Sequence, residues 1–168
     1  MCDLCDGVTL EERMRWAHLS ILGAGYSQIA VEGSVPWVYT IGLSERLHPE
    51  LLIAGIDTAP AAELLDRLAS RVVRGERFEA GTTVDEEGES FGLVAVHPSR
   101  VKVGLCAAWQ AYARLHPGPG TLRVLQVQMP DEWFCRCHAG NQPRLELPGG
   151  MPGAPSREER RRKSKRRR

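Results

Sequence analysis

The chain contains no long hydrophobic run and no export signal, and both absences narrow its class. No apolar stretch among its 168 residues approaches the ~20 residues that a transmembrane helix requires. Its first residues, "MCDLCDGVTLEER", lack the basic and then apolar layout of a secretory signal peptide. A hydrophobic content of 42% and a charged content of 26% are typical of a soluble globular protein. We therefore expect a cytoplasmic protein.

Lysine is scarce, and the charge is unevenly distributed. Arginine supplies 19 of the 22 basic residues, and this bias suggests a bacterial source with a GC-rich genome. Residues 157–168, "REERRRKSKRRR", hold nine basic and two acidic residues, a balance of +7. Residues 1–156 hold 13 basic and 19 acidic residues, a balance of −6. The net charge of +1 therefore conceals an acidic body and a basic tail.

Periodicity and turn residues predict an α+β domain, with a mainly antiparallel sheet and two or three packed helices. One helix follows the capping-box pair Thr9 and Glu12, and a second follows Thr58 as its cap. Strands are predicted where β-branched and aromatic residues lie between glycines and prolines. Their ranges are 26–33, 35–43, 50–56, 91–98 and 121–130, with a turn or loop tip over 85–90 and a third helix over 104–118. The order lacks regular βαβ alternation, which favours an α+β fold over an α/β fold.

The composition changes near Pro148, and this change sets the predicted domain boundary. From Pro148 the chain reads "PGGMPGAPSREERRRKSKRRR", which is rich in Pro and Gly and then charged. Such a segment buries too little apolar surface to offset the entropy lost on ordering. We predict a single domain over 1–148, followed over 149–168 by a disordered linker and an Arg-rich tail.

Four of the five cysteines occur as close pairs. Cys2 and Cys5 form one pair, and Cys135 and Cys137 form another with His138 beside it. Paired cysteines in a reducing compartment favour metal binding over a disulfide, and a structural zinc site needs four thiolate or imidazole ligands. The pattern predicts a possible zinc site that joins the two ends of the domain, with His138 as a substitute ligand. The alternative is two unrelated pairs of surface thiols, since the C-x-C spacing is tighter than usual.

A second candidate site lies in "YTIGLSERLHPELLI", where polar residues interrupt an apolar segment. His48 and Glu50 could act as a general acid–base pair in a pocket with Tyr39. The structural alternative is a corner fixed by Pro49, which favours an extended His48. The sequence contains no phosphate-binding glycine loop and no dinucleotide fingerprint. The other polar residues assigned to this cluster are Thr40, Glu45, Gln126 and Asp131.

The basic tail predicts electrostatic contact with nucleic acid, because arginine clusters release counterions from phosphates regardless of base sequence. It has no interleaved aromatic residues, and the body is acidic, so a tether is favoured over a specific reader. It also has no apolar anchor for a membrane. The alternative is a solubilising or incidental tail. The predicted contact residues are Arg160, Arg161, Arg162, Lys163, Lys165, Arg166, Arg167 and Arg168.

Several of these segments together resemble a known family. "PWVYTIGLSERLHPELLIAGI", "RGERFEAG", "RVLQVQMPDEW" and "NQPRLELP" are similar to motifs of a bacterial family called domain of unknown function 4262, and some members also begin with Met-Cys-x-x-Cys. The resemblance covers roughly residues 1–148 and leaves the Arg-rich tail outside. It implies a shared fold but no activity.

The sequence thus predicts a small cytoplasmic binding or regulatory module, with zinc as its candidate metal. Its partner would be nucleic acid or a ribonucleoprotein reached through the tail, or another protein. Two alternatives stay open. One is an enzyme of unknown reaction that uses Tyr39, His48 and Glu50. The other is a protein-binding domain whose tail has no role.

Overall fold

A computed structural model describes residues 9–105, 108, 112–113, 120–134 and 142–148. Two short 3-10 turns, Leu43–Arg46 and Asp131–Trp133, follow the second and the last strand. Within these ranges no helix is long and apolar enough to cross a membrane. The regular elements are α1 (Leu10–Ala24), β1 (Ser27–Val31), β2 (Trp37–Ile41), β3 (Glu50–Ala54), α2 (Thr58–Val73), β4 (Thr83–Glu86), β5 (Glu89–Ala95), α3 (Pro98–Gly104) and β6 (Val124–Gln128).

The six strands form one mixed sheet in the order β1-β2-β3-β6-β5-β4. All neighbouring strands are antiparallel except β3 and β6, which pair in parallel. The predicted α+β fold with a mainly antiparallel sheet is therefore confirmed. The parallel pair places β6, which comes last in the described chain, at the centre of the sheet.

The first helix begins where the sequence predicts it. The Thr9 hydroxyl accepts a hydrogen bond from the Glu12 N–H at 3.2 Å, and the Glu12 carboxylate accepts one from the Thr9 N–H at 2.8 Å. This reciprocal pair supplies partners for two of the N–H groups that a helix start leaves open. The helix ends at Gly25, whose φ of 87° is left-handed, as is common one residue past a helix.

Three local predictions differ from the structure. Asp57 holds the N-cap position of α2, and Thr58 is already helical. The predicted strands omit β4, which forms a hairpin with β5 across the predicted turn or loop tip at 85–90. A helix, α3, covers Pro98–Gly104, although residues 91–98 were predicted as strand and the third helix from 104. Most of the predicted 104–118 helix lies outside the described residues.

Alternate strand residues face two separate cores, one on each side of the sheet. On one side α2 packs its apolar face against the sheet, and on the other α1 and α3 do so. The first core contains Leu64, Leu65 and Leu68 of α2 together with Leu51, Ile53, Phe78 and Leu125. The second contains Met14 and Ala17 of α1, Val101 of α3, and Tyr39, Leu52, Leu122 and Val124.

The segment 142–148 packs back onto the sheet through two glutamines. The Gln126 side chain donates to the Pro143 carbonyl at 2.9 Å and accepts from the Leu145 N–H at 3.3 Å. Gln142 accepts from the Met129 N–H at 3.1 Å. Leu145 is fully buried, so this segment belongs to the folded domain. The boundary at 148 stays a prediction.

Candidate ligand-binding site

The connection between β2 and β3, which we call the β2–β3 turn, spans residues 42–49. It contains the 3-10 turn Leu43–Arg46 with a left-handed residue on each side. Gly42 has a φ of 110° and Leu47 a φ of 60°. A Cβ on Gly42 would lie 2.8 Å from the Ile21 side chain, so glycine is required there. Leucine in this conformation is disfavoured by roughly 1–2 kcal/mol, and the Leu47 side chain is 76% exposed. The turn therefore holds an apolar side chain out in solvent in a strained backbone conformation.

The Glu50 carboxylate, which is buried, organises this turn from inside. One oxygen accepts hydrogen bonds from the N–H groups of Gly42 at 2.9 Å and Ser44 at 3.0 Å. The other accepts from the Thr40 hydroxyl at 2.7 Å and the Leu43 N–H at 3.3 Å. Burial raises the pKa of Glu50, and these donors oppose that increase. The carboxylate therefore binds four donors, and three of them are backbone N–H groups of the turn. These hydrogen bonds hold the backbone of the turn in place.

The His48 imidazole is also buried, at 2% exposure, and both of its nitrogens have partners. Nδ1 lies 2.6 Å from the Pro49 carbonyl oxygen, and Nε2 lies 3.0 Å from the Phe78 backbone nitrogen. A carbonyl can only accept and a backbone N–H can only donate, so the neutral ring carries its proton on Nδ1. Burial lowers the pKa of His48, and the nearby Arg77 and Arg123 lower it further. His48 thus links the start of β3 to the segment after α2.

The three residues of the predicted catalytic pocket do not form one hydrogen-bonded group. Within the part of the chain that the structure describes, no hydrogen bond joins His48 to Glu50, since each binds the backbone groups named above. Tyr39 is buried in the second core with α1 and α3, whereas the Phe78 ring that His48 contacts edge-on at 5.5 Å belongs to the first. The arrangement explains a stable corner and gives no support to an acid–base pair.

The remaining members of the predicted polar cluster are dispersed. Gln126 is buried and holds Pro143 and Leu145. Glu45 and Asp131 are exposed on separate 3-10 turns. Within the predicted cluster a hydrogen bond between side chains joins Thr40 to Glu50. His48, Gln126, Glu45 and Asp131 occupy separate places.

A cavity of about 560 Å³ lies directly beside His48. Three chain segments line most of it: Leu47–Pro49, Arg77–Ala80 and Thr121–Leu125. Ala95, Val96 and Pro98 line the rest. We call this space the arginine cavity, with His48 and the buried apolar side chains as its floor, and Leu47, Arg77 and Arg123 as its rim.

The two rim arginines are held by backbone carbonyls rather than by carboxylates. Arg77 Nη1 donates to the Arg46 carbonyl at 2.6 Å, and Arg123 Nη2 donates to the Leu47 carbonyl at 3.1 Å. Neither forms an ion pair with any carboxylate of the described residues. Glu79 is the acidic residue of the cavity lining, so the lining carries more positive than negative charge. Each guanidinium has five N–H donors, and among the described residues each is given one hydrogen-bond acceptor.

Sequence reasoning did not identify the rim. Arg77 and Arg123 lie far apart in sequence but line the same cavity, because each binds a carbonyl of the β2–β3 turn. Pairing of β3 with β6 places Arg123 there, and the Glu50 N–H donates to its carbonyl at 2.9 Å. Both lie in segments that resemble family motifs, "RGERFEAG" and "RVLQVQMPDEW", and that was the only signal. The left-handed conformation of Leu47 has no signature in the sequence.

The predicted metal and nucleic-acid residues lie outside the described residues. These are Cys2, Cys5, Cys135, Cys137 and His138 for zinc, and the basic residues within 160–168 for nucleic acid. Among the residues that are described, no three His, Cys, Asp or Glu side chains lie where they could hold a metal ion together. The zinc site and the tail contact stay predictions.

Comparison with known proteins supports the resemblance noted in the sequence. A family model described as domain of unknown function (DUF4262) matches residues 12–133. The chain belongs to this family, whose description assigns no activity. The searches among curated proteins and among solved structures gave no match. A bacterial source and a cytoplasmic location stay predictions.

Proposed function

We propose that this member of the DUF4262 family is a binding module, and that the arginine cavity is its ligand site. The cavity has the size of a small-molecule site, since such sites commonly enclose about 300–1,000 Å³. Three separate segments form it, so a bound ligand would connect the β2–β3 turn, the chain after α2, and β6. Such a ligand would stabilise the folded state by binding only to it.

One observation carries this proposal. The polar group of the floor, the His48 ring, already has partners in the protein, whereas the rim arginines have N–H donors without an acceptor among the described residues. A general acid or base must reach the proton that it transfers. Both nitrogens of His48 and both carboxylate oxygens of Glu50 bind groups of the protein itself. The N–H groups that lack an acceptor among the described residues belong to arginines, which remain charged and serve to bind rather than to transfer protons. A binding role is therefore better supported than the enzyme alternative with Tyr39, His48 and Glu50.

A fragment screen by ligand-observed NMR tests the cavity. The full chain would be compared with Ala95→Trp, which adds a large ring at an exposed position in the lining. Ala30→Trp adds the same ring at an exposed position of β1, away from the cavity, and serves as the matched control. We expect fragments that bind the native chain to lose binding in Ala95→Trp and to keep it in Ala30→Trp. No binding to the native chain, or equal binding to all three proteins, would contradict the proposal.

The basic tail extends the proposal from sequence alone. We propose that residues 157–168 tether the domain to nucleic acid or to an assembly that contains it, because clustered arginines bind phosphates electrostatically. RNA binding by the full chain and by a 1–156 truncation would be measured over a range of salt concentrations. The expected result is tighter binding by the full chain, with an advantage that falls as salt rises. Equal affinities would remove the tether.

The zinc site is the second extension. Cys2, Cys5, Cys135 and Cys137 would hold one zinc ion and join the two ends of the domain, with His138 as a substitute ligand. Metal analysis of protein purified without added zinc should then find about one zinc per chain, and a chelator should lower the melting temperature. Protein that contains no metal and melts at the same temperature in chelator would rule out the site.

A further inference from the structure

The geometry points to a small organic anion, an apolar body that carries a carboxylate or a phosphate, as the ligand of the arginine cavity. This inference rests on the proposed function and specifies the chemistry of its ligand. Three features carry it: the anchored guanidinium groups, the apolar floor and the charge balance of the lining.

The anchoring of the two arginines prepares them for an anion. Each uses one N–H on a carbonyl of the β2–β3 turn, that of Arg46 for Arg77 and that of Leu47 for Arg123. This contact restricts two long side chains before any ligand arrives, so less entropy is lost on binding. The remaining N–H groups form a planar fork, which matches the oxygens of a carboxylate or a phosphate.

The floor of the cavity favours an organic ligand over an inorganic ion. Its buried side chains are apolar apart from His48, and they include Phe78, Val96, Leu122 and Val124. Covering such a surface contributes roughly 25 cal/mol per Å² of apolar area. The exposed Leu47 side chain adds an apolar edge to the rim. An ion such as free phosphate would bind the arginines and leave this surface in water.

The charge of the lining favours an acid over a neutral or basic ligand. Arg77 and Arg123 outnumber Glu79, and His48 is neutral in its hydrogen-bonded state. The guanidinium groups form no ion pair within the described residues, so an incoming carboxylate need not displace one. Because a cavity with low-dielectric walls concentrates its field, the lining should attract anions from solution.

A second concavity of the described structure lacks this combination of features. It lies between α1, β1 and α2, and it is lined by residues that include Tyr26, Glu63, Asp66 and Arg67. There the Tyr26 hydroxyl already donates to Asp66 at 2.6 Å. Arg67 lies 3.4 Å from a Glu86 oxygen and 3.1 Å from a Glu87 oxygen. Asp66 and Arg67 therefore already have partners within the protein, so that surface supports no similar inference.

The test uses matched probes on the full chain. Benzoate and phenyl phosphate carry an anion on an aromatic ring, benzamide is the neutral counterpart of benzoate, and inorganic phosphate lacks the apolar body. The double variant Arg77→Gln/Arg123→Gln removes the two rim charges. The control Arg15→Gln/Arg74→Gln removes the same charge from two exposed positions outside the lining, one on α1 and one directly after α2. Dissociation constants would be measured by NMR titration at two salt concentrations.

We expect benzoate and phenyl phosphate to bind more tightly than benzamide and inorganic phosphate. Their affinity should fall at least about tenfold in the rim variant, which corresponds to ~1.4 kcal/mol. It should change less than about twofold in the control, and it should weaken as salt rises. Circular dichroism and melting curves would confirm that both variants fold.

The contrary results are distinguishable. If benzamide binds as tightly as benzoate and the rim variant changes neither, the anion inference fails while the binding site stands. If the control loses as much affinity as the rim variant, net charge rather than the cavity causes binding, and the inference is also wrong. If no probe binds although the native chain binds neutral fragments, the anion inference fails alone. If the native chain binds no fragment either, the proposed function fails with it.

Discussion

The floor and the rim of the arginine cavity use their polar groups in opposite ways. In the floor, both nitrogens of His48 bind backbone groups of the protein. At the rim, Arg77 and Arg123 each bind one carbonyl, and their other donors have no acceptor within the part of the chain that the structure describes. A buried polar group must be paired to avoid a desolvation cost, whereas an exposed one can remain available. Burial thus separates groups that maintain the fold from groups that can bind a ligand.

The same difference separates two arginines, Arg71 and Arg77. It lies over the Phe78 ring at 5.5 Å, and its guanidinium binds Glu76 and Glu86 at 2.6–2.8 Å. The pKa of Glu76 is lowered, chiefly by its hydrogen bond to Arg71. Arg77 lines the cavity and has no such partner among the described residues. Arg71 and Arg77 are the same type of residue, and their different neighbours give them different roles.

Loss of the Glu50 carboxylate should have the largest effect. Glu50→Ala would leave the Thr40 hydroxyl and three backbone N–H groups of the turn without their acceptor. Each buried donor left unpaired costs about 1–3 kcal/mol, so we expect the free energy of unfolding to fall by at least about 3 kcal/mol. Urea denaturation measures this, with Glu45→Ala on the exposed side of the same turn as the control. A loss equal to that of the control would contradict the structural role of Glu50.

Substitution of His48, in the floor of the cavity, should have a smaller effect on stability. His48→Phe keeps a ring but removes the acceptor for the Phe78 N–H, and we expect a loss of about 1–3 kcal/mol in the free energy of unfolding. His48→Gln can keep that acceptor through its amide oxygen and should lose less. Denaturation of both variants provides the measurement. Equal losses would show that the hydrogen bond to Phe78 contributes nothing.

The arginines allow a direct comparison of paired and unpaired groups. Arg71→Gln breaks the contacts with Glu76 and Glu86, which are partly exposed, and should destabilise the protein by up to about 1 kcal/mol. Arg77→Gln breaks one exposed contact with a carbonyl and should change stability by less than about 0.5 kcal/mol. Thermal and urea unfolding would be measured for both. A larger loss for Arg77→Gln would place it among the groups that maintain the fold.

The pH dependence of stability should show the smallest effect. The pKa of His48 is lowered from its ordinary value of 6.5, so below that value the unfolded chain binds a proton that the folded chain excludes. The contribution of the neutral His48 ring to the free energy of unfolding is fully present above pH 6.5, and it is lost as the pH falls toward the folded-state pKa. Between pH 7.5 and 5.5 the native protein should therefore lose more stability than His48→Gln. Parallel curves would show that His48 does not titrate differently in the two states.

The sequence predicts the fold better than the site, and particular residues show why. The Thr9–Glu12 pair and the apolar runs of β2 and β3 are local signals, and each element formed where it was expected. The sequence does not predict β4, because this strand is short and polar, with Val84 as its buried residue. His48 and Glu50 were conspicuous as polar residues in an apolar segment, but their partners are backbone groups, which no sequence pattern displays. The rim arises from the packing of distant segments.

The central position of β6 has a consequence for the order of folding. A chain is synthesised from its N-terminus, so β1–β3 and the β4–β5 hairpin emerge before the strand that joins them. Until β6 inserts, β3 and β5 each present an open edge that can pair with another chain. The joining contacts are distant in sequence and carry the largest loop-closure entropy. We therefore expect insertion of β6 to limit the folding rate, and because β6 brings Arg123 and Leu125 with it, a nascent chain has no binding site before that step.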